Sequence, residues 1–579
     1  MYNRLEMLLN ESNYDEAEKE LQKCLTAAET DTGENDVLAI LAASIYWHKA
    51  EYEKCYGHIK AGLKYNYCNY ELYLMLGNYY ELTNPDQAWL CYQNAEFYCK
   101  DEEDLEVIRN YRLELELKSE IHVSKISIVI LSYNSLEYTK QCIESIRKNN
   151  SEKCYEIIVV DNASQDGSAA WLEAQKDIQL IVNKENMGFP YGCNQGIKRA
   201  EPENDIFLLN DDTVLMPNSL FWLRMGLYEN LHIGATGSVS NYVSNGQRIE
   251  EGVGTLEQCI EYGIRNNIPM RHPYEKKVFL VGFALLLRRA ALDEVGLLDI
   301  RFTPGTFEDE DIAIRLQQAG WKIILCKNSF IYHYGSGGGA NAMKWRELSA
   351  INSAKFHEKW NFDLGYYSCA RTEIIGLIQN PAEDKIHVLE IGCGMGATLA
   401  EIQSHWPNSE VKGIELVPGI AKIGANIVDI IQGDAEHMDI PFEKCSFDYI
   451  ILGDVLEHLM EPQKMLMRLK EYLKMDGAFV CSVPNMMHMS VILPLLQGMF
   501  NYADAGILDR THIRFFTLAS IYEMFQECKL EIEDIGAIYT VASTDEKNIQ
   551  AIKAIQIVFS TASLQQFQAY QYIFRAKRQ

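Results

Sequence analysis

The stretch 205–213, DIFLLNDDT, stops an apolar run on three polar residues. Ile206 to Leu209 lead straight into Asn210, Asp211 and Asp212. Adjacent carboxylates repel, and each is costly to bury unpaired. A divalent cation shared with two phosphates would relieve the repulsion. Asp-Asp-Thr is also good turn or helix-cap chemistry, so the triplet alone leaves both readings open. A second acidic group, Glu308-Asp309-Glu310-Asp311, opens an amphipathic pattern of Ile312, Ile314 and Leu316, where the helix dipole favours negative charge. LEIGCGMGATL then places Gly392, Gly394 and Gly396 after an apolar run. The spacing departs from the dinucleotide pattern G-x-G-x-x-G. VKGIEL ends in Glu415, and a carboxylate there can accept both hydroxyls of a ribose. The next run ends in Gly433-Asp434-Ala435, placed to meet an adenine amino group, and the one after reads ILGDVLEHL.

Such residues need sheets to hold them. ISIVIL (126–131), EIIVV (156–160), IQLIV (178–182) and DIFLL (205–209) are short apolar runs with helical segments between them, the alternation of a parallel α/β sheet. Ligands in such sheets sit at the carboxyl ends of the strands. Ser132-Tyr133-Asn134, Asp161-Asn162 and Asn210-Asp211-Asp212 all fall there. This region is expected over 125–345, ending in a flexible GSGGGANA (335–342). A helical connector is expected over 346–385 and a second α/β region over 386–579, with strands HVLEI, VKGIEL, DIIQGD, FDYIIL and GAFVCSVP.

Residues 1–120 are expected to be all-helical. NYDEAEKELQKCL from Asn13, EYEKCYGHIKAGL from Glu51 and NPDQAWLCYQNAEF from Asn84 echo one another, with Ala17, Cys55 and Ala88 in the same small-residue place. The offsets of 38 and 33 residues bracket the 34-residue period of tetratricopeptide repeats. The region resembles a degenerate array of that kind, with a plain helical bundle as the alternative.

The chain's 579 residues exceed one core. A net charge of −28 argues against nucleic acid or an anionic membrane as the main partner. The N-terminal stretch lacks a signal-peptide core, and the longest apolar run, Val278 to Leu287, is too short to span a bilayer. The fifteen cysteines form no CxxC pair, the usage of a reduced, cytoplasmic protein.

SIVILSYNSLEYTKQCIESI, IIVVDNASQDGS, NKENMGFPYGCNQGI and FLLNDDT, taken in order and spacing, resemble the inverting family-2 glycosyltransferases, closest to the rhamnosyltransferase-like branch, over roughly 126–345. The resemblance implies a GT-A fold, Rossmann-like in its α/β layering, and a nucleotide-diphosphate-sugar donor. It implies that Tyr133 and Asp161 contact the base or ribose, and that Gly188 and Asn194 lie near the nucleotide sugar. Asn210-Asp211-Asp212 stands at the D-x-D motif, with Asn210 and Asp211 beside the donor and Asp212 the chief ligand of a divalent metal (Mn or Mg). The first position is Asn where the family has Asp. VGFALLLRRAALDEVGLLDIRFTPGTFEDEDIAIRL carries the same resemblance. It implies that Asp309 is the general base that takes the acceptor's proton, and that His333 completes the metal site; a structural histidine is the alternative.

The second α/β region resembles the class I S-adenosylmethionine-dependent methyltransferases, also Rossmann-like, over about 386–540. The resemblance implies that Glu390, Gly392, Gly394 and Gly396 form the methionine-side loop. It gives Glu415 to the ribose, Asp434 to the adenine edge and Asp454 to the methionine end. SVPNMMHMSVILPLLQGMFNYADAGILDRTHIRFFT resembles the acceptor-side cover of a branch found beside or fused to glycosyltransferases. His458, expected on a helix, His488 and His512 are base candidates for O-methyl transfer. The sulfonium leaving group needs alignment and desolvation rather than a metal cluster.

The fold class expected is therefore multidomain: an α-helical repeat, a GT-A domain and a class I methyltransferase domain. The function expected is that of a bifunctional cytoplasmic enzyme. It would transfer a sugar with inversion and methylate a glycan hydroxyl, on a glycan or protein acceptor such as a flagellar or surface-layer protein, without nucleic acid or stable membrane insertion. The alternatives are a polysaccharide assembly enzyme acting on a lipid-linked acceptor, and a repeat-led scaffold that binds nucleotides without turnover.

Overall fold

The computed structural model describes residues 2–28, 35–249, 251–335, 342–557 and 562–579. The chain divides into two compact units, Met1–Phe362 and Asp363–Gln579.

Among the described residues the first unit begins with seven helices, Asn3–Asn10, Tyr14–Ala28, Asn35–His48, Tyr52–Tyr65, Tyr70–Glu81, Pro85–Tyr98 and Glu102–Lys118. Ala17, Cys55 and Ala88 each fall four residues into the second, fourth and sixth of these, and all are fully buried. Small side chains there let neighbouring helices close up. Asn69, Asn84 and Asp101 cap the last three helices through their side-chain oxygens. The sixth helix docks on the α/β domain of the same unit: Gln87 Nε2 donates to Met225 O at 2.8 Å, and Asn94 and Tyr98 both reach Asn218 Oδ1.

That α/β domain is built on nine strands: β1 (Ile126–Ser132), β2 (Tyr155–Asp161), β3 (Ile178–Val182), β4 (Asp205–Asn210), β5 (Thr213–Leu215), β6 (Ile233–Val239), β7 (Tyr274–Lys276), β8 (Ala284–Leu287) and β9 (Lys322–His333). The order is β3-β2-β1-β4-β8-β6-β9-β5, with β7 beside β9. The four runs expected as strands are β1 to β4, and all pair parallel. β1 and β4 are buried on both faces, which is why they read as continuous apolar runs. The expectation of a parallel sheet to residue 345 fails beyond β4: β8 lies antiparallel to β4 and β6, and β5 antiparallel to β9. The sheet is mixed. Of the glycine-rich GSGGGANA, residues 336–341 lie outside the described residues.

The second unit carries β10 (His387–Ile391), β11 (Glu410–Glu415), β12 (Asp429–Gln432), β13 (Phe447–Gly453), β14 (Leu473–Pro484), β15 (Leu530–Ile538) and β16 (Gln571–Arg578), in the order β12-β11-β10-β13-β14-β16-β15. The first five are parallel. The last strand inserts antiparallel between β14 and β15, a pairing across some ninety residues of chain that local pattern does not encode.

The stretch 346–385, expected as a connector, is divided between the units. Helix Ala342–Trp360 belongs to the first: the fully buried Asn352 donates to Phe302 O and Gly305 O at 2.9 Å each, and Lys359 Nζ reaches Asp311 Oδ1 at 2.5 Å. Residues from Asp363 onward belong to the second. Among the described residues no helix is long and apolar enough to cross a membrane.

Candidate active sites

In the first unit the strand tips converge as the sheet rule requires. β1 runs into Ser135, whose Oγ donates to Asp211 Oδ2, and Thr139 Oγ1 approaches the same oxygen at 3.4 Å. Burial, reinforced by the charge of Asp212 and opposed by Ser135, pushes the Asp211 carboxyl up to about 7. Asp212 is buried and its Oδ1 lies 3.1 Å from His333 Nε2. His333 Nδ1 is 2.7 Å from Tyr242 O and the ring stacks on Phe283 at 5.1 Å. A carbonyl can only accept, so Nδ1 carries a proton. In the neutral imidazole Nε2 then keeps its lone pair, the tautomer of a metal-ligating histidine. Asp212 and His333 thus fit a divalent cation.

A three-residue segment, Val281-Gly282-Phe283, joins this pair to the acidic cluster. Gly282 N donates to Asp309 Oδ2 at 2.8 Å. Phe283 O accepts from Asn210 N at 2.9 Å, and its ring is the one under His333. The four acids at 308–311 have different environments. Asp311 is fully buried and consumed by Arg315, Lys359 and Trp360. Glu308 and Glu310 each keep an oxygen with no partner, and burial holds both well above the usual carboxylate range. Asp309, half-buried like Glu310, has its two oxygens set by backbone donors, Gly282 N and Glu310 N. Phe307 and Thr306, just ahead of the helix, take positive φ of 71° and 81°, a strained backbone of the sort found at functional turns.

Tyr133 is half exposed, while Asp161 is fully buried with Oδ2 on Ser164 N and Oδ1 unpartnered. Gly188, at φ 80°, leaves no room for a Cβ, which would meet Pro304 Cα at 2.8 Å. It lets the loop before helix Phe189–Arg199 seat against the 303–305 turn. Asn194 does not join the group. Its Nδ2 donates to Leu298 O at 2.8 Å and its Oδ1 accepts from Leu298 N at 3.0 Å, so both polar ends hold the chain in place.

The second unit opens a cleft of about 400 Å³ at the carboxyl ends of β10, β11 and β13, within the range of small-molecule sites. Gly392, Gly394 and Gly396 all take positive φ. A Cβ on Gly394 would strike Tyr367 O at 2.7 Å. Glu415 is buried; Oε2 accepts from Gly394 N and Oε1 from Val417 N, both at 2.9 Å, and burial raises its pKa. Glu390 is buried with Oε2 unpartnered, and burial pushes it up to about 8 against the pull of Arg371. Asp434 lines the cleft, its oxygens on Glu436 N and His437 Nδ1. Asp454, at φ 54°, is fixed by Arg371 Nη2 at 2.5 Å, Ser482 Oγ at 2.7 Å and Gln571. The cleft's glycines, its buried carboxylates and its size fit S-adenosylmethionine.

The histidines separate. His458 sits in a short 3-10 turn, Leu456–His458, rather than on an α-helix, and lines the cleft. Burial and the neighbouring His512 lower its pKa. His488 is fully buried between Ser490 Oγ at 2.7 Å and Ser543 Oγ at 3.0 Å, which leaves no ring nitrogen for a base. Residues unforeseen from sequence are Gly282, Phe283 and Tyr242 in the first unit and Tyr366, Tyr367 and Arg371 in the second. Gly282 and Phe283 lie in VGFALLL, which the resemblance spans without giving either residue a role, and Tyr242 lies in a loop. The second group lies in the stretch expected to be a connector.

Comparison with known proteins matches the two α/β regions separately. Residues 127–296 match the family model "Glycosyl transferase family 2", and residues 368–535 match "Methyltransferase domain". The uncharacterized glycosyltransferase YfnE of Bacillus subtilis is 35% identical over 259 residues, which covers 36% of this chain and 64% of that protein, so the chain spans less than two thirds of that relative. The ubiquinone biosynthesis O-methyltransferase of Rickettsia canadensis is 26% identical over 207 residues, covering 33% and 86%. Among solved structures, GalNAc-T7 with UDP, GalNAc and Mn2+ is similar at 15% identity and a TM-score of 0.33, covering 44% of this chain and 52% of the other. The chain therefore carries a family-2 glycosyltransferase domain of GT-A type and a class I, S-adenosylmethionine-dependent methyltransferase domain, behind a helical N-terminal region.

Proposed function

We propose that this chain is a bifunctional enzyme that transfers a sugar from a nucleotide-diphosphate donor with inversion and methylates a hydroxyl of a glycan or glycosylated protein. Asp161 and Tyr133 receive the nucleoside. Asp212 and His333 hold a divalent cation, Mn or Mg, which when bound neutralises the departing diphosphate. Asp309 takes the acceptor proton as the hydroxyl attacks the anomeric carbon. In the second unit Glu415 binds the ribose, Asp434 the adenine edge, and Glu390 with Asp454 the methionine end. The name of the Rickettsia relative, an O-methyltransferase, favours oxygen as the methylated atom. The helical region, resembling a tetratricopeptide array, recognises the acceptor. The site residues and domain bounds are part of this proposal, as are the rhamnosyltransferase-like branch and the cytoplasmic location.

The observation that carries the reading is the Gly282–Phe283 segment, which ties the carboxylate of Asp309 to the Asp212–His333 pair through one backbone bond and one ring stack. The test is nucleotide release from a panel of sugar nucleotides, with metal and with chelator, and S-adenosylhomocysteine formation on the same acceptors. Metal-dependent release lost in Asp212→Ala is the expected result. Binding of both ligands with no turnover on any acceptor would favour a scaffold instead.

A further inference from the structure

The Leu456–His458 turn and the loop packed on it bring one carboxylate and two imidazoles together. Glu457 is 1% exposed, and neither carboxylate oxygen meets a hydrogen-bond donor outside its own residue. A buried carboxylate without compensation is strongly disfavoured. His512 Nε2 stands 4.0 Å from Glu457 Oε1, and the His512 ring meets the His458 ring edge-on at 4.8 Å. One donor atom from each of Glu457, His458 and His512 lies within 4.8 Å of the other two. At 4.0 Å the His512–Glu457 approach is too long for a hydrogen bond; a shared cation would close it.

The outer contacts of the two imidazoles point the same way. His512 Nδ1 lies 2.9 Å from Ile507 O, and His458 Nδ1 lies 3.3 Å from Thr511 O. Each Nδ1 therefore donates to a backbone carbonyl, which leaves Nε2 with a lone pair and fixes the ring, as around bound metals. The loop is anchored to the glutamate itself, since Ile513 N and Arg514 N both donate to Glu457 O at 3.0 Å. His458 and Thr511 line the cleft, so the cluster borders the cofactor site.

We propose that Glu457, His458 and His512 bind a divalent transition-metal cation on the acceptor side of the methyltransferase cleft, and that the acceptor carries two adjacent hydroxyls. The proposal rests on reading this unit as a methyltransferase. Two imidazoles and one carboxylate leave coordination positions open, the pattern of catalytic rather than structural sites. Adjacent hydroxyls, as on a sugar ring or a catechol, fill two such positions. Coordination lowers the pKa of the attacking hydroxyl. Its proton leaves to water, and the oxygen forms the new O–CH3 bond as the S–CH3 bond breaks. The sulfur keeps that electron pair, so the sulfonium becomes a thioether and no oxidant or reductant is required.

Co2+ is the probe, because its visible absorption reports nitrogen and oxygen ligands. Full-length Asp212→Ala, chelator-stripped and lacking the first unit's chief metal ligand, is expected to bind Co2+ with ligand-field bands. Adding His512→Ala or Glu457→Gln should weaken that binding by at least about tenfold. Calorimetric binding of S-adenosylhomocysteine is measured on every variant. A double variant that loses binding which Asp212→Ala retains is set aside as misfolded, and the other decides. Asp212→Ala that binds the homocysteine but no Co2+ overturns the metal site alone, as do unchanged bands in the folded double variants. A chain that binds Co2+ but not the homocysteine keeps the metal site and overturns the methyltransferase reading.

Discussion

Asp309→Asn separates chemistry from architecture, provided its structural cost is counted. Both oxygens of Asp309 accept backbone donors, Gly282 N at 2.8 Å and Glu310 N at 3.0 Å. An amide supplies one acceptor, so one of those N–H groups loses its partner, at about 1–3 kcal/mol. That cost is present with and without donor bound and largely cancels in the nucleotide Kd. It does not cancel in stability. Loss of a general base lowers transfer by roughly two to four decades, or about 3–5 kcal/mol of barrier. Three readouts therefore diverge. Transfer falls by about 100-fold to 10,000-fold, nucleotide affinity changes by less than about tenfold, and unfolding free energy drops by about 1–3 kcal/mol. Glu310→Gln is the control. Burial already favours the protonated form of Glu310, so an amide there is close to isosteric and the effect on transfer should be small. Near-normal transfer in Asp309→Asn, with Glu310→Gln inactive, would refute the assignment. A large loss of nucleotide affinity in Asp309→Asn would place the residue in the donor site.

Two further outcomes concern the second unit. Glu415→Ala removes the acceptor that Gly394 N and Val417 N share, and S-adenosylhomocysteine affinity should fall by roughly 10- to 100-fold at about 1.5–3 kcal/mol per charged hydrogen bond, read by calorimetry on the full chain; unchanged affinity would remove Glu415 from the ribose site. His488 is held down to about 4 by burial. A depressed histidine stabilises the fold above its unfolded pKa near 6.5 and loses that contribution as pH falls through the folded value, so the thermal midpoint of this unit should decline between about pH 6.5 and 4, and His488→Gln should flatten the decline.

The glycosyltransferase strands β1 to β4 were legible because parallel strands buried on both faces leave uninterrupted apolar runs, and the polar residues that follow them must be strand tips. The methyltransferase tips read the same way at Gly392, Glu415, Asp434 and Asp454. What was hidden is long-range. Gly282-Phe283 sits inside VGFALLL, an apolar run whose own letters carry no signal that one amide will hold Asp309 and one ring will support His333. Arg371 lies in sequence without periodicity, yet it is the cation that holds Asp454. Asn194 is a different case: the resemblance set it near the nucleotide sugar, and the fold uses both its polar atoms on Leu298. Motif position marks a residue without saying whether it serves chemistry or packing.

A pattern in the buried acids bears on whether these domains only bind or also turn over. Asp205 and Asp311, away from the strand tips, are completely partnered, Asp205 by Tyr228 and the backbone of Arg289 and Asp311 by Lys359, Arg315 and Trp360. The tips are not uniform: Glu415 and Asp454 there are partnered, while Glu308 and Glu310, away from the tips, each keep an open oxygen. Asp161 Oδ1, Glu390 Oε2 and both oxygens of Glu457 are buried without partners, at about 1–3 kcal/mol for each unsatisfied group. Stability alone would favour replacing such carboxylates with amides or apolar groups. A ligand that donates to those oxygens recovers the deficit on binding, which gives the open acceptors a use in a nucleotide or cofactor site. Binding alone accounts for Asp161 and Glu390. It does not account for Asp309, which is set by two backbone donors beside the Asp212–His333 pair while its acidic neighbours are buried or paired. Helix capping would also seat a carboxylate there, so the transfer rate of Asp309→Asn is what separates a scaffold from an enzyme.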